Sequence, residues 1–283
     1  MSDGMNAFCL PTGAPVSRLG QGAWQIGEDK RKRTNEQRAL RVGLELGLSL
    51  IDTAEMYGNG RSEELIAEVI EGRREQVYLV SKVLPENASR RGAIAACEHS
   101  LKRLKTDYLD LYLLHWRGSV PLEETLEAFT ALRDRGSIRH FGVSNLDVAD
   151  LTEARALRGG AGVATNQVLY NLEQRGVEWE LLPWCRKQKM PLMAYSPLGS
   201  DSRRLRTHAV LKAMAARIGA TPARIALAWL LRQPDVVVIP KASSEAHVRD
   251  NHAALELELS REDLAELDRA FPPPKRATPL AMI

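Results

Sequence analysis

Cysteine is scarce in this chain: Cys9, Cys97 and Cys185 are the only three in 283 residues, odd in number and widely spaced. The pattern suits a reducing compartment better than a disulfide framework. No 18 apolar residues run together, and Met1 to Asn6 lacks the basic and apolar regions of a secretion signal. No membrane-spanning helix is therefore expected, and the expected location is cytoplasmic. Charge of one sign is missing too: 39 basic against 36 acidic residues leave a net +3 without long runs. That gives no case for nucleic acid or a membrane surface as partner. With 44% apolar and 27% charged residues, disordered, collagen-like and coiled-coil classes drop out. The dinucleotide fingerprint is absent as well, since Gly20-Gln21-Gly22 has no glycine three residues on.

What is present is an alternation. Pro11-Thr12-Gly13 between Phe8-Cys9-Leu10 and Val16 predicts a small N-terminal hairpin. Strands are then predicted at 18–24, 50–52, 77–82, 108–115, 138–144, 163–168, 191–196 and 236–239. Helical stripes lie between them, such as Leu65, Ile66, Val69 and Ile70, or Ile94, Cys97, Leu101 and Leu104. Thr34 and Gln37 have capping-box spacing for a helix from about Asn35; Pro121 reads as the first residue of another helix, and Thr221-Pro222 caps and opens a third. An additional helical segment at 206–219 precedes the last repeat. Helices at 245–254 and 261–270, the latter capped by Ser260, close the pattern, and Pro272-Pro273-Pro274 begins a non-helical tail expected to drape over the surface. Eight strands without clean polar alternation require a parallel sheet covered by helices, and eight closes a (β/α)8 TIM barrel spanning 1–283 as one domain. A doubly wound open sheet is the competing architecture.

In such a barrel, polar residues at the C-terminal strand ends converge on one mouth. Here those ends carry Asp52, Lys82, His115 with Trp116, Ser144-Asn145, Asn166-Gln167, Tyr195-Ser196 and Lys241. Each has an ordinary structural reading: Asp52 as a turn cap, Lys82 as a rim charge, His115 as a satisfied core histidine, Asn145-Leu146-Asp147 as a cap for the next helix. Their joint occurrence favours a site. One His, one Asp and a Lys are not a metal ligand set, so no metal is expected. A serine nucleophile lacks its elbow motif.

An Asp ending an apolar strand needs a cation, and Tyr57 follows Asp52 in a loop broken by Gly58-Asn59-Gly60. These groups suit proton donation to a carbonyl oxygen as a hydride reaches its carbon. A free phenol, with pKa near ~10, is too weak an acid at neutral pH. Lys82 can lower it, Asp52 can hold Lys82, and His115 can bond the substrate oxygen. The loops Ser196-Pro197-Leu198-Gly199-Ser200 and Lys241-Ala242-Ser243-Ser244 fall where barrels bind phosphate. Tyr195 offers a flat face for a nicotinamide, and Asn145 and Gln167 offer amides for its carboxamide. Plain core packing is the other reading of Tyr195.

The motifs Gly22-Ala23-Trp24, Asp52-Thr53-Ala54-Glu55-Met56-Tyr57-Gly58, Ser81-Lys82, Asp107 to His115, Gly142-Val143-Ser144-Asn145, Asn166-Gln167, Tyr195-Ser196-Pro197-Leu198 and Ile239-Pro240-Lys241 occur in this order. With them the chain resembles the aldo-keto reductases from end to end, and it is similar to the short bacterial members that reduce methylglyoxal and related small aldehydes. The resemblance implies Asp52, Tyr57, Lys82 and His115 as the catalytic tetrad and NADPH as cofactor, with NADH use left open. Cofactor contacts are implied at Gly22, Ala23, Ser144, Asn145, Gln167, Tyr195, Ser196, Leu198, Ser200, Lys241, Ala242, Ser243, His247, Arg249, Asp250 and Asn251. His247 stands where the family often has an Arg for the 2′-phosphate, and Arg249 would help if its helix turned it inward. Trp24, Met56 and Trp116 are expected as apolar walls of an open pocket for a small carbonyl substrate. Two other readings stand beside this one: a non-catalytic NADPH-binding sensor, and an aldolase or lyase using Lys82 as a Schiff base. No apolar helix face is left over, so no obligate protein partner is expected.

Overall fold

A computed structural model describes residues 7–9 and 15–283. A hairpin of β1 (Ala7–Cys9) and β2 (Pro15–Ser17) pairs antiparallel, Ala7 opposite Ser17, while the turn expected at 11–13 lies outside the described residues. The alternation follows: β3 (Gln21–Gly22), α1 (Arg33–Glu45), β4 (Leu50–Asp52), α2 (Arg61–Ile70), β5 (Tyr78–Val83), α3 (Arg90–Leu104), β6 (Leu109–Leu114) and α4 (Leu122–Asp134). It continues with β7 (Ile138–Ser144), α5 (Val148–Ala156), β8 (Val163–Leu169), α6 (Leu181–Lys187) and β9 (Leu192–Tyr195). After β9 come α7 (Ser202–Thr207), α8 (Ala209–Ile218), α9 (Pro222–Leu231), β10 (Val236–Ile239), α10 (Glu245–His252) and α11 (Arg261–Ala270). None of these helices is long and apolar enough to cross a membrane.

Strands β3 to β10 form one parallel eight-stranded sheet in chain order. The ring closes between β3 and β10 through two isolated bridges, Leu19 with Val238 and Gly22 with Lys241. This is the expected barrel, with its first strand much shorter than predicted. Gly22 is needed at the seam, because a Cβ there would sit 2.8 Å from the carbonyl oxygen of Ile239.

Two apolar cores result. Leu50, Tyr78, Val80, Leu111, Leu113, Met193, Val237 and Ile239 fill the barrel, and Val16 from the hairpin joins them. Since Leu50 and Tyr78 begin their strands, the hairpin stoppers the end opposite the C-terminal mouth. The larger core lies between strands and helices, with Trp229, Phe129 and Tyr112 fully buried.

Local signals fared unevenly. Thr221 accepts from the Arg224 amide and Ser260 forms a capping box with Asp263, as read. The box expected from Thr34 and Gln37 does not form: α1 starts at Arg33 without a side-chain cap, and the Gln37 amide bonds Glu68 instead. Pro121 is the N-cap of α4 rather than its first residue. The additional segment is two helices, broken at His208.

Candidate functional site

At the C-terminal mouth the strand ends surround a cavity of about 850 Å³, within the range of small-ligand sites. Beneath its floor Lys82 is completely buried, and its Nζ donates to Asp52 Oδ2 at 2.7 Å, to the Thr53 carbonyl at 2.7 Å and to Tyr57 Oη at 3.2 Å. Three acceptors take the three ammonium protons. Tyr57 reaches this point because Gly58, Asn59 and Gly60 all have positive φ, turning the chain sharply into α2. Its ring is held edge-on by Trp24 and His115, with centroids 5.0 and 5.8 Å away.

Burial opposes the Lys82 ammonium, but Asp52 and Tyr57 more than compensate and hold its pKa above the ordinary value. Lys82 does not line the cavity. A nucleophilic lysine must be neutral and within reach of substrate, so both observations disfavour the Schiff-base reading. For Tyr57, burial raises the phenol pKa, Lys82 pulls it down and Asp52 pushes it up. Burial prevails, against the expected net lowering. The phenol therefore keeps its proton at neutral pH.

His115 is driven down to about 3 by burial and by the Lys82 charge, so its ring is neutral. Between pH ~6.5 and 3 the unfolded chain binds a proton here that the folded chain refuses, and stability falls on acidification. We expect the His115 contribution to approach ~1.4 kcal/mol per pH unit in that window. Denaturant unfolding at pH 6 and 4 should show this component lost in His115→Gln; an identical pH slope in both proteins would refute it.

Ser144, Asn145, Gln167, Tyr195, Ser196, Leu198, Ser200, Lys241, His247, Asp250 and Asn251 all border the cavity with Gly22, Trp24, Met56 and Trp116. Several amides are already engaged. Asn145 donates to the His115 carbonyl and to Ser144 Oγ, both at 3.1 Å, and accepts from Tyr195 Oη at 2.9 Å. It ties three strand ends together, while the helix cap is Asp147, in a box with Asp150. Gln167 Nε2 donates to Asp52 Oδ1 at 2.7 Å. Ser144 Oγ donates to the Gln167 carbonyl at 2.8 Å. Asp250 is pinned by Thr221 Oγ1 at 2.6 Å and Arg224 Nη2 at 2.8 Å.

Five expected residues lie elsewhere. Asn166 is fully buried and donates to the Leu146 carbonyl at 2.8 Å, because it points to the opposite face of β8 from Gln167. Ala23 is buried beneath the mouth, and Ala242 packs on the outer core. Ser243 and Arg249 do not border the cavity, and Arg249 is exposed because Val248, its neighbour on α10, takes the inward position.

Some residues were not anticipated. Arg206 of α7 borders the cavity, and like Lys241 and His247 its side chain has no partner among the described residues. Gln25, with φ of 61°, and Thr221 also border it. The only sequence signal for Arg206 is a cation soon after the Ser196–Ser200 loop. The tail from Pro272 is largely exposed, packs Leu280 on the outer core and brings Met282 and Ile283 against the mouth. Burial pushes the Tyr195 phenol up to about 12, against an opposing backbone hydrogen bond from Ile283. No three His, Cys, Asp or Glu among the described residues converge to hold a metal.

The family model described as "Aldo/keto reductase family" matches residues 18–271. Methylglyoxal reductase YeaE of Escherichia coli K12 is 53% identical over 268 residues, 94% of either chain. Glyoxal reductase of Bacillus subtilis is 33% identical over 92% of this chain and 90% of its own. An aldo-keto reductase of Klebsiella pneumoniae solved with NADPH is 48% identical and superposes with a TM-score of 0.96, covering 99% of both chains. A barrel with these strand ends, matched over nearly its whole length at such identity, leaves one classification: the chain belongs to the aldo/keto reductase family.

Proposed function

We propose that the protein reduces small aldehydes such as methylglyoxal to alcohols, taking the hydride from NADPH and the proton from Tyr57. The observation that carries this reading is the Tyr57 hydroxyl bordering the cavity 3.2 Å from a buried, Asp52-held ammonium. NADPH fits the mouth: the free cations Arg206 and Lys241 with His247 suit its phosphates, and Tyr195 suits its ring. When bound, the cofactor supplies hydride to the carbonyl carbon. The chain's own residues do the rest. Tyr57 Oη gives its proton to the carbonyl oxygen, Lys82 steadies the resulting phenolate, and the neutral His115 ring borders the place where that oxygen would lie. Trp24, Met56 and Trp116 bring no charge to the substrate, which favours uncharged carbonyls. The unpaired, buried Cys97 and Cys185 support a cytoplasmic setting.

The test is the loss of reduced-nicotinamide absorbance with NADPH and then NADH, offering methylglyoxal and a simple aromatic aldehyde. Rapid oxidation of NADPH is expected. Binding seen by tryptophan quenching, with no oxidation of either cofactor, would overturn the reading in favour of the sensor. For cofactor choice, Arg206→Ala is expected to weaken NADPH about tenfold, the loss of one charge-assisted phosphate contact, and to leave NADH nearly unaffected. Arg249→Ala should change neither. Equal weakening of both cofactors by Arg206→Ala would remove Arg206 from the 2′-phosphate.

A further inference from the structure

Strands β4 and β8 are four places apart in a ring of eight, on opposite sides of the barrel. One side-chain hydrogen bond nevertheless joins their ends across the axis: Gln167 Nε2 to Asp52 Oδ1 at 2.7 Å. The other oxygen of the same carboxylate holds Lys82 Nζ at 2.7 Å, and Lys82 meets Tyr57 Oη at 3.2 Å. The four side chains form a single buried file, Gln167 to Asp52 to Lys82 to Tyr57. Because a carboxylate only accepts, the nitrogen end of the amide must face Asp52. Its Oε1, which accepts nothing among the described residues, is left for whatever enters the cavity.

We propose that Gln167 is a positioning residue for proton transfer: it shares the Asp52 charge, and so sets how much of the Lys82 charge remains to act on Tyr57. This rests on Tyr57 being the acid. A carboxylate bonded by a second donor draws less on its first partner. Without the Gln167 donor, Asp52 neutralises Lys82 more completely, and Tyr57 releases its proton less readily. The same amide that meets the cofactor end of the cavity thereby reports to the acid at the substrate end. The other titratable groups facing Tyr57 are Lys82 from β5, Asp52 from β4, His115 beyond β6 and Tyr195 from β9. His115, at about 3, and Tyr195, at about 12, stay neutral across the working range.

The experiment compares kcat against pH for alcohol oxidation, where Tyr57 must act as base, in the wild type, Gln167→Met and Gln167→Glu. Gln167→Met keeps length but cannot donate; its rising limb should move to higher pH by roughly half a unit to one unit. Gln167→Glu can donate to Asp52 only while protonated, so its activity relative to the wild type should recover on acidification. A residue that merely contacted the cofactor would raise the KM for NADP⁺ in both variants and leave the profiles parallel to the wild type; that result overturns the proposal. If Gln167→Met does not fold, the Gln167→Glu profile alone decides. Tyr57→Phe serves as control: its retaining turnover would sink the acid assignment, whereas an inactive Tyr57→Phe with unmoved Gln167 profiles would sink only the role of Gln167.

Discussion

Replacing Tyr57 by Phe is expected to lower turnover about 10²- to 10⁴-fold, the usual worth of a general acid, while leaving NADPH affinity essentially unchanged. The ring packs between Trp24 and His115, and Phe preserves that packing. Only the hydroxyl is removed. What disappears is the hydroxyl proton that borders the cavity in contact with Lys82 Nζ, where the other such contact, Asp52, is a carboxylate with no proton to give, and water in an open mouth is a poor substitute. Single-turnover rates with saturating NADPH separate the chemical step from product release. A variant keeping most of the wild-type rate would mean that another group delivers the proton. The raised phenol pKa bears on the same point: an acid must hold its proton until the hydride arrives, and burial ensures that it does.

The second large effect concerns stability as well as rate. Lys82→Met leaves Asp52, almost fully buried, with Gln167 as its remaining side-chain partner. Removing one member of a buried ion pair typically costs about 3–5 kcal/mol, because the other charge is stranded. That loss is expected in urea denaturation, together with loss of carbonyl reduction. Adding Asp52→Asn should restore much of the stability and none of the activity. If Lys82→Met alone proved as stable as the wild type, the buried pair would not be the structural keystone that its geometry suggests. Such an outcome would point to water entering behind Tyr57 and solvating the carboxylate.

Much of this site was legible in the sequence because barrel strands put chemistry at one repeating position. Asp52, Lys82, His115, Gln167 and Lys241 each stand at or near the C-terminal end of a strand, and counting strands was enough to bring them to one end of the barrel. Facing is harder than position. Asn166 and Gln167 are adjacent in β8 and point to opposite sides, and only the pleat decides which enters the mouth. The Gln167 bond to Asp52 was illegible for a related reason: it joins strands that never pair. Thr34 and Gln37 have the spacing of a capping box but form none, because the helix starts before Thr34 and Gln37 takes a tertiary partner, Glu68 of α2. Arg206 and Ile283 come from segments whose place depends on how a loop or tail lies over the mouth, which no periodicity encodes. The prolines at 272–274 announced a non-helical tail without revealing where it would end.

The seam between β3 and β10 ties these observations to the whole molecule. There the ring is joined by three backbone hydrogen bonds, from Val238 N to the Arg18 carbonyl, from Gly20 N to the Val238 carbonyl and from Gly22 N to the Pro240 carbonyl. The barrel is a bracelet with a clasp, and the residue beyond the last link is Lys241, which borders the mouth. A nucleotide held by Lys241, as proposed above, would sit beside the clasp that shuts the ring. Binding there would favour the closed ring over the open one by linkage, so a cofactor with no affinity for the open form would raise the stability of the barrel as a whole.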